Sequence, residues 1–291
     1  MNDYFTSRRA LIDGFLQEFA SRLGAPHPID RPLQRSLASA GKRVRGILTL
    51  AVGEAVGCRP EKLLPAAAAM ELIHTSSLIL DDLPSMDDAQ LRRGAPTLHR
   101  EFGEDLAILS AVALLNYSYG LVSSNHATLS PRRWPASQVI ARVVDAVGWT
   151  GTIGGEAVDL HSEGSTLDFD TLELIHSRKT GALFVAAAAV GGMLANIDSA
   201  RLRGVETYAK NLGLAFQITD DVLDVVSTPE TLGKDVGKDA QRLTFVKLAG
   251  VDGARKLSAE LVETSLAAIA PLGPAAAPLR ELATLVRDRV K

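Results

Sequence analysis

Apolar residues recur three and four places apart through most of the chain, with polar residues between them. The pattern predicts helices at about 65–82, 105–125, 135–149, 171–195, 201–226, 251–270 and 275–290. Strand-like alternation of four or more residues is scarce, and no strand-flanked Asn-Gly or Asp-Gly turn signals a hairpin. Breakers fall between the periodic stretches, at Pro60 and Pro65, Pro84, Gly94-Ala95-Pro96, Ser130-Pro131, Gly164-Ser165, Pro229, Gly233 to Gly237 and Pro271 to Pro278. None is long enough for an interdomain linker. The expectation is an all-α protein, residues 1–291 forming one large helical domain whose helices can enclose a cavity.

Composition narrows the class. With 46% hydrophobic and 22% charged residues, the chain is neither disordered nor collagen-like. The single cysteine, Cys58, rules out an internal disulfide and suits a reducing, cytoplasmic setting. A net charge of −3 gives no argument for nucleic acid. The longest uninterrupted apolar run, Ala182 to Ala195, has 14 residues. A membrane span needs about 18, so none is expected.

Two acidic clusters each follow an apolar helix. In the stretch Phe216 to Asp224, Asp220 and Asp224 lie about 40° apart on a helix, with Asp221 beside them. Carboxylates among Leu212, Leu214, Phe216 and Ile218 are costly unless cations neutralise them. Oxygen donors without His or Cys favour Mg²⁺ over zinc. The other cluster is Asp81-Asp82-Leu83-Pro84-Ser85-Met86-Asp87-Asp88. Asp81 and Asp87 would sit about 240° apart on a continuous helix. Pro84 breaks the helix, so the chain can fold back and bring Asp87 beside Asp81. Cationic sets accompany the acids: Gly41-Lys42-Arg43-Val44-Arg45, Arg92-Arg93-Gly94, Arg178-Lys179-Thr180-Gly181, and Gly233-Lys234-Asp235. Either cluster alone could be a solvated helix end, and any one basic pair could be ordinary surface. Together, carboxylates and separate Lys/Arg sets point to diphosphates bridged by Mg²⁺.

The segment Glu71-Leu72-Ile73-His74 through Asp81 to Asp88, Leu91-Arg92-Arg93-Gly94 and Pro96-Thr97-Leu98-His99 is similar to the first aspartate-rich motif of all-trans prenyl diphosphate synthases. Gln217 to Asp224 resembles their second such motif, and the segments at 41–43 and 179–181 fall in the family's order. The resemblance covers about residues 30 to 250. It implies an isoprenoid-synthase fold with a deep central cavity, a homodimer, and Mg²⁺, about three ions per site, with Mn²⁺ as a substitute.

The positions matching metal ligands are Asp81, Asp87 and Asp220, with Asp82, Asp221 and Asp224 supporting or sharing the ions. Arg92, Lys179, Thr180, Gln217 and Lys234 match contacts to the allylic diphosphate. Lys42, Arg45, His74 and Arg93 match the set that binds isopentenyl diphosphate. The implied reaction ionises the allylic C–O bond, joins the cation to isopentenyl diphosphate and releases a proton. Ser76 and Ser77, small residues one turn before Asp81, stand where fifteen-carbon synthases usually place an aromatic ring. That favours geranylgeranyl diphosphate, C20, over farnesyl diphosphate, C15, unless Met70, Tyr117 or Tyr119 supplies a floor to the pocket.

The chain departs from the family at Leu80, Ala89, Val112, Glu156 (a usual glutamine) and Arg242, positions that mostly surround the direct ligands. A class I terpene cyclase reading fails, because no asparagine here starts an Asn/Ser/Glu triad at four-residue spacing. A non-catalytic subunit that modifies a partner synthase is the other alternative; intact Asp81, Asp87, Asp220 and Asp224 weigh against it.

Overall fold

The computed structural model describes residues 3–23, 27–39, 41–130, 133–161, 169–226 and 244–288. Thirteen α-helices carry these residues: α1 (Asp3–Ser21), α2 (Asp30–Ala38), α3 (Val44–Ala55), α4 (Leu64–Asp81), α5 (Leu98–Phe102), α6 (Glu104–Thr128), α7 (Ala136–Val147), α8 (Thr152–His161), α9 (Phe169–His176), α10 (Ala182–Leu194), α11 (Ser199–Val226), α12 (Phe245–Ala268) and α13 (Ala277–Asp288). A π-helical turn, Ser177–Gly181, joins α9 to α10. Short 3-10 turns at Pro60–Leu63 and Ala270–Ala276 fall where the prolines predict breaks. The strands are a two-residue hairpin, Leu91–Arg92 against Ala95–Pro96, closed by Arg93 and Gly94 at positive φ.

The fold is all-α, as the periodicity predicts. The core helices pack closely because their contact faces are small. Ala66 to Ala69 on α4 and Ala186 to Ala189 on α10 are almost wholly buried. Gly191 lets α10 approach α3 until a β-carbon there would strike the Thr49 carbonyl, and the Thr49 hydroxyl donates to the Ala187 carbonyl at 3.1 Å. Larger side chains fill the space between, including Leu48, Leu50, Leu63, Leu72, Leu114 and Phe184. Each such burial contributes about 1.5–3 kcal/mol. Buried polar side chains tie helices together: Tyr208 donates to the Leu279 carbonyl at 2.7 Å. Asn125 of α6 accepts from the Ala66 amide at 3.2 Å, capping the start of α4 from another helix.

Two helices, Pro60–Asp81 and Glu104–Thr128, are long and apolar enough to cross a membrane by length and composition. The expectation of no span rested on uninterrupted apolar runs, which miss helices dotted with serines and asparagines. Pro60–Asp81 has 61% of its apolar window inside the protein, as a core helix does, whereas Glu104–Thr128 has 33% and exposes Ile108, Leu109, Val112 and Tyr117.

The glycine contacts give opposite expectations for two alanine substitutions. Gly14, exposed in α1 with open space around its Cα, should gain up to ~1 kcal/mol on Gly14→Ala. Gly191→Ala must push α3 off α10 and should cost roughly 1–3 kcal/mol. Thermal unfolding should raise Tm for the first variant and lower it by several degrees for the second.

Candidate active site

Helix α4 ends at Asp81, and the chain then folds back as Pro84 predicts. The Asp87 amide donates to the Asp81 carbonyl at 2.9 Å, and the Asp88 amide donates to the Leu83 carbonyl at 3.0 Å. Asp88 takes the left-handed conformation, φ 45°, to close this turn. The result sets Asp87 beside Asp81. Burial, then Glu156, then Asp87 push the Asp81 carboxyl up to about 7, against the pull of Lys179 and Arg92. A carboxyl so displaced is short of positive charge.

Asp82 is buried and committed to Arg92, whose Nε lies 2.7 and 2.8 Å from its two carboxylate oxygens. Burial still raises its pKa despite that partner. The structure therefore gives Asp82 to the anchoring of Arg92. Asp221 is likewise buried and engaged. Its Oδ1 accepts from Gln217 Nε2 at 3.1 Å and its Oδ2 from the Phe245 amide at 3.3 Å, tying α11 to the first turn of α12. Gln217 in turn accepts from the Thr180 hydroxyl at 3.1 Å, so the π turn and α11 are joined by one chain of hydrogen bonds. Asp220 is half-buried and Asp224 exposed, four residues apart on the outer turns of α11. Lys234 and Arg242 lie outside the described residues.

A second group gathers around His74, about two helical turns before Asp81. Burial and the charges of Arg45, Arg93, Arg92 and Arg43 hold its imidazole well below the ordinary range, so it is neutral. Arg43 and Arg93 both take left-handed backbone conformations, φ 52° and 55°. Such conformations cost energy in non-glycine residues and concentrate at functional sites. Arg43 is held there by Asp13 at 2.7 Å, the Ser39 carbonyl at 2.8 Å and Glu71 at 4.0 Å. Arg45 lies over the Phe184 ring at 5.1 Å, and its Nε is buried with no hydrogen-bond partner. Burial lowers its pKa to about 10, while Glu71 and Asp220 resist the fall. Lys42, next to Arg43 in the chain, is exposed. The arrangement is a cationic socket with Arg92 between it and the acids.

Ser76 is buried and its hydroxyl donates to the Ala111 carbonyl of α6 at 2.8 Å. Ser77, about 40° from Asp81 on the helix, is half-buried and bonded only to its own turn, at the His74 carbonyl. Of the two serines, Ser77 shares the face of Asp81. Sequence reasoning quoted Glu71 and Arg43 within motifs without giving either a role of its own, and assigned none to Asp13 or Asp159. Glu71 is the lone charged residue in the run Pro65 to Ile73, which marks it in the sequence, and its Oε1 accepts from the Gly46 amide at 2.8 Å. Among the departures, Leu80 packs on the core, the Ala89 amide donates to Asp82, and Val112 is exposed on α6.

The donors fit Mg²⁺. They are carboxylate oxygens, and Mg²⁺ takes one or two of these and completes its shell with water and substrate phosphates. Among the described residues no three His, Cys, Asp or Glu side chains gather closely enough to cage an ion alone. The excess charge on Asp81 and Asp87 is thus available to an ion that a ligand helps to hold.

Comparison with known proteins agrees with this geometry. Residues 26–264 match the family model for polyprenyl synthetase, a region that takes in both carboxylate segments, the arginine socket and the π turn. A geranylgeranyl diphosphate synthase of Cyanophora paradoxa is 41% identical over 98% of this chain and 95% of its own length. A farnesyl diphosphate synthase of Geobacillus stearothermophilus is 37% identical over 91% and 90%. A crystal structure of a geranyltransferase from Helicobacter pylori, complexed with magnesium and isoprenyl diphosphate, superposes with a TM-score of 0.82 at 28% identity, covering 98% of this chain and 97% of that one. Sequence, fold and the placing of the acids and arginines lead to one assignment: the chain belongs to the polyprenyl synthetase family.

Proposed function

We propose that this protein is a trans-prenyltransferase that joins an allylic diphosphate to isopentenyl diphosphate, with geranylgeranyl diphosphate as its main product. The observation that carries the reading is the pairing of two unlike anion sites on either side of Arg92. One is the Asp81–Asp87 pair with Lys179, which needs a cation before it can take a diphosphate. The other is the socket of Arg43, Arg45 and Arg93 around a neutral His74, which takes a diphosphate directly.

Mg²⁺, about three ions in our reading, supplies charge neutralisation at the departing diphosphate. Asp81, Asp87 and Asp220 would hold the ions with Asp224 flanking them, while Asp82 and Asp221 brace Arg92 and Gln217. Lys179, Thr180, Gln217 and Arg92 orient the allylic diphosphate, with Lys234 assigned there by resemblance. As the allylic C–O bond breaks, the electron pair leaves with the diphosphate, whose charge these donors stabilise. The isopentenyl double bond, oriented by Lys42, Arg45, His74 and Arg93, forms the new C–C bond. A proton then passes to the released diphosphate and the double bond is restored. Apolar walls keep water from the cation. Exposed Ile108, Leu109, Val112 and Tyr117 on α6 support assembly of two copies through that helix.

Purified protein with Mg²⁺, isopentenyl diphosphate and dimethylallyl or farnesyl diphosphate should release mainly C20 product; absence of elongation by the chain alone would favour a modifying subunit. Asp81→Asn should cut turnover roughly 100-fold or more. It should also raise Tm of the metal-free protein. The Asp81 carboxyl is raised from 3.8 to about 7, so wild type loses stability as pH climbs between these values. The variant escapes that loss, and its Tm advantage should grow from pH 4 to pH 8.

Ser77→Phe should shift dephosphorylated products toward C15 on chromatography. Ser76→Tyr must displace α6 and should lower Tm as well. Light scattering should give about twice the 30.9 kDa chain mass.

A further inference from the structure

Helix α8 lies unusually close to the π turn. A β-carbon on Gly155 would sit 2.5 Å from the Lys179 backbone nitrogen and 2.8 Å from Arg178 Cβ. With the two backbones in contact, the next residue, Glu156, and Asp159 three places on, share the face that meets Lys179. Lys179 Nζ lies 2.6 Å from Glu156 Oε2 and 2.7 Å from Asp159 Oδ2. All three side chains are mostly buried, at 12%, 21% and 24% exposure for Glu156, Asp159 and Lys179. Burial alone would lower the lysine's pKa, but the two acids carry it upward.

This arrangement does two things. An ammonium has three N–H donors, so gripping it at two points fixes the direction of the third. The trio also carries two negative charges against one positive. Glu156 and Lys179 both act electrostatically on Asp81, so the trio stands beside that acid. Lys179 thus presents a donor to an incoming diphosphate from within a patch that repels it.

Building on the prenyltransferase reading, we propose that Glu156 is a positioning residue: with Asp159 it aims Lys179, and its charge makes the seating of a diphosphate on Lys179 conditional on Mg²⁺. Without a divalent cation the diphosphate meets Glu156, Asp159, Asp81 and Asp87 together. Once Mg²⁺ is on the aspartates, the repulsion is offset and the aimed N–H does its work. Glu156→Gln keeps an oxygen acceptor for Lys179 and removes the charge. Glu156→Ala removes both.

Calorimetric titration of the full chain with inorganic diphosphate tests this. In EDTA, Glu156→Gln should bind about fivefold tighter than wild type, the effect of one charge several ångströms away in a half-wet site. In saturating Mg²⁺ the two should agree within about twofold on the same reasoning. In turnover assays at limiting Mg²⁺, Glu156→Gln should lower KM for the allylic substrate with kcat nearly unchanged. Glu156→Ala should lower kcat about tenfold through the misaimed lysine, with Tm close to wild type. Equal affinity of wild type and Glu156→Gln in EDTA would overturn the proposal. A wild-type chain that binds diphosphate as described yet makes no elongated product would overturn the prenyltransferase reading instead.

Discussion

Placing several carboxylates at the ends of apolar helices is the constraint from which the rest of this structure follows. Negative charge in a poorly hydrated place is costly unless it is matched, and at Asp81 the protein leaves it partly unmatched. Elsewhere it matches with care. Asp82 is closed off by Arg92, Asp221 by Gln217 and the Phe245 amide, and Glu71 by the Gly46 amide with Arg43 close by. The satisfied acids build the walls, while the unsatisfied one defines where cations and diphosphates are wanted. An acid cluster of this kind stores binding energy for a charged ligand at the expense of the empty protein's stability.

The socket around His74 inverts that logic. Four guanidinium groups act on one neutral imidazole, and two of them, Arg43 and Arg93, sit on left-handed backbone, Arg43 held by Asp13 and Arg93 by the Ser39 hydroxyl. Gly41 allows the close approach, since a β-carbon there would lie 3.1 Å from Arg93 and 3.3 Å from Arg43. Arg92 stands between the two sites, acting on His74 and on Asp81 alike. The surroundings of Asp81 are therefore short of positive charge and those of His74 short of negative charge, which distinguishes two diphosphates by what must accompany each.

Much of this was legible in the residues. The long periodic helices α4, α6, α11 and α13 stand within a few residues of their expected bounds, because a continuous apolar stripe leaves few alternatives. Pro84 made the return of Asp87 toward Asp81 readable, since proline denies the helix its next turn. Helices α1 and α8 were not foreseen: glycines and polar residues blur their stripes, and tertiary contact rather than local pattern decides them. The expected helix over 171–195 is continuous but carries a π turn, which packs against α8 and α11 and has no signature in the local sequence. For the same reason the partners of Lys179 escaped notice. Glu156 and Asp159 stand some twenty residues upstream, and only the fold shows that they reach the lysine. The division of labour between Asp81 and Asp82, identical neighbours in the chain, was equally invisible, because it depends on which one Arg92 can reach.

Gly155 carries no side chain and touches no ligand, yet the spacing between α8 and the π turn rests on it. Any larger residue would wedge the two backbones apart and draw both acids away from Lys179 together. The charge state of the catalytic pocket is thereby subordinate to a residue that an electrostatic map leaves blank. Drift at this uncharged position would retune metal demand and substrate affinity at a stroke, with every ionisable group in the pocket still present.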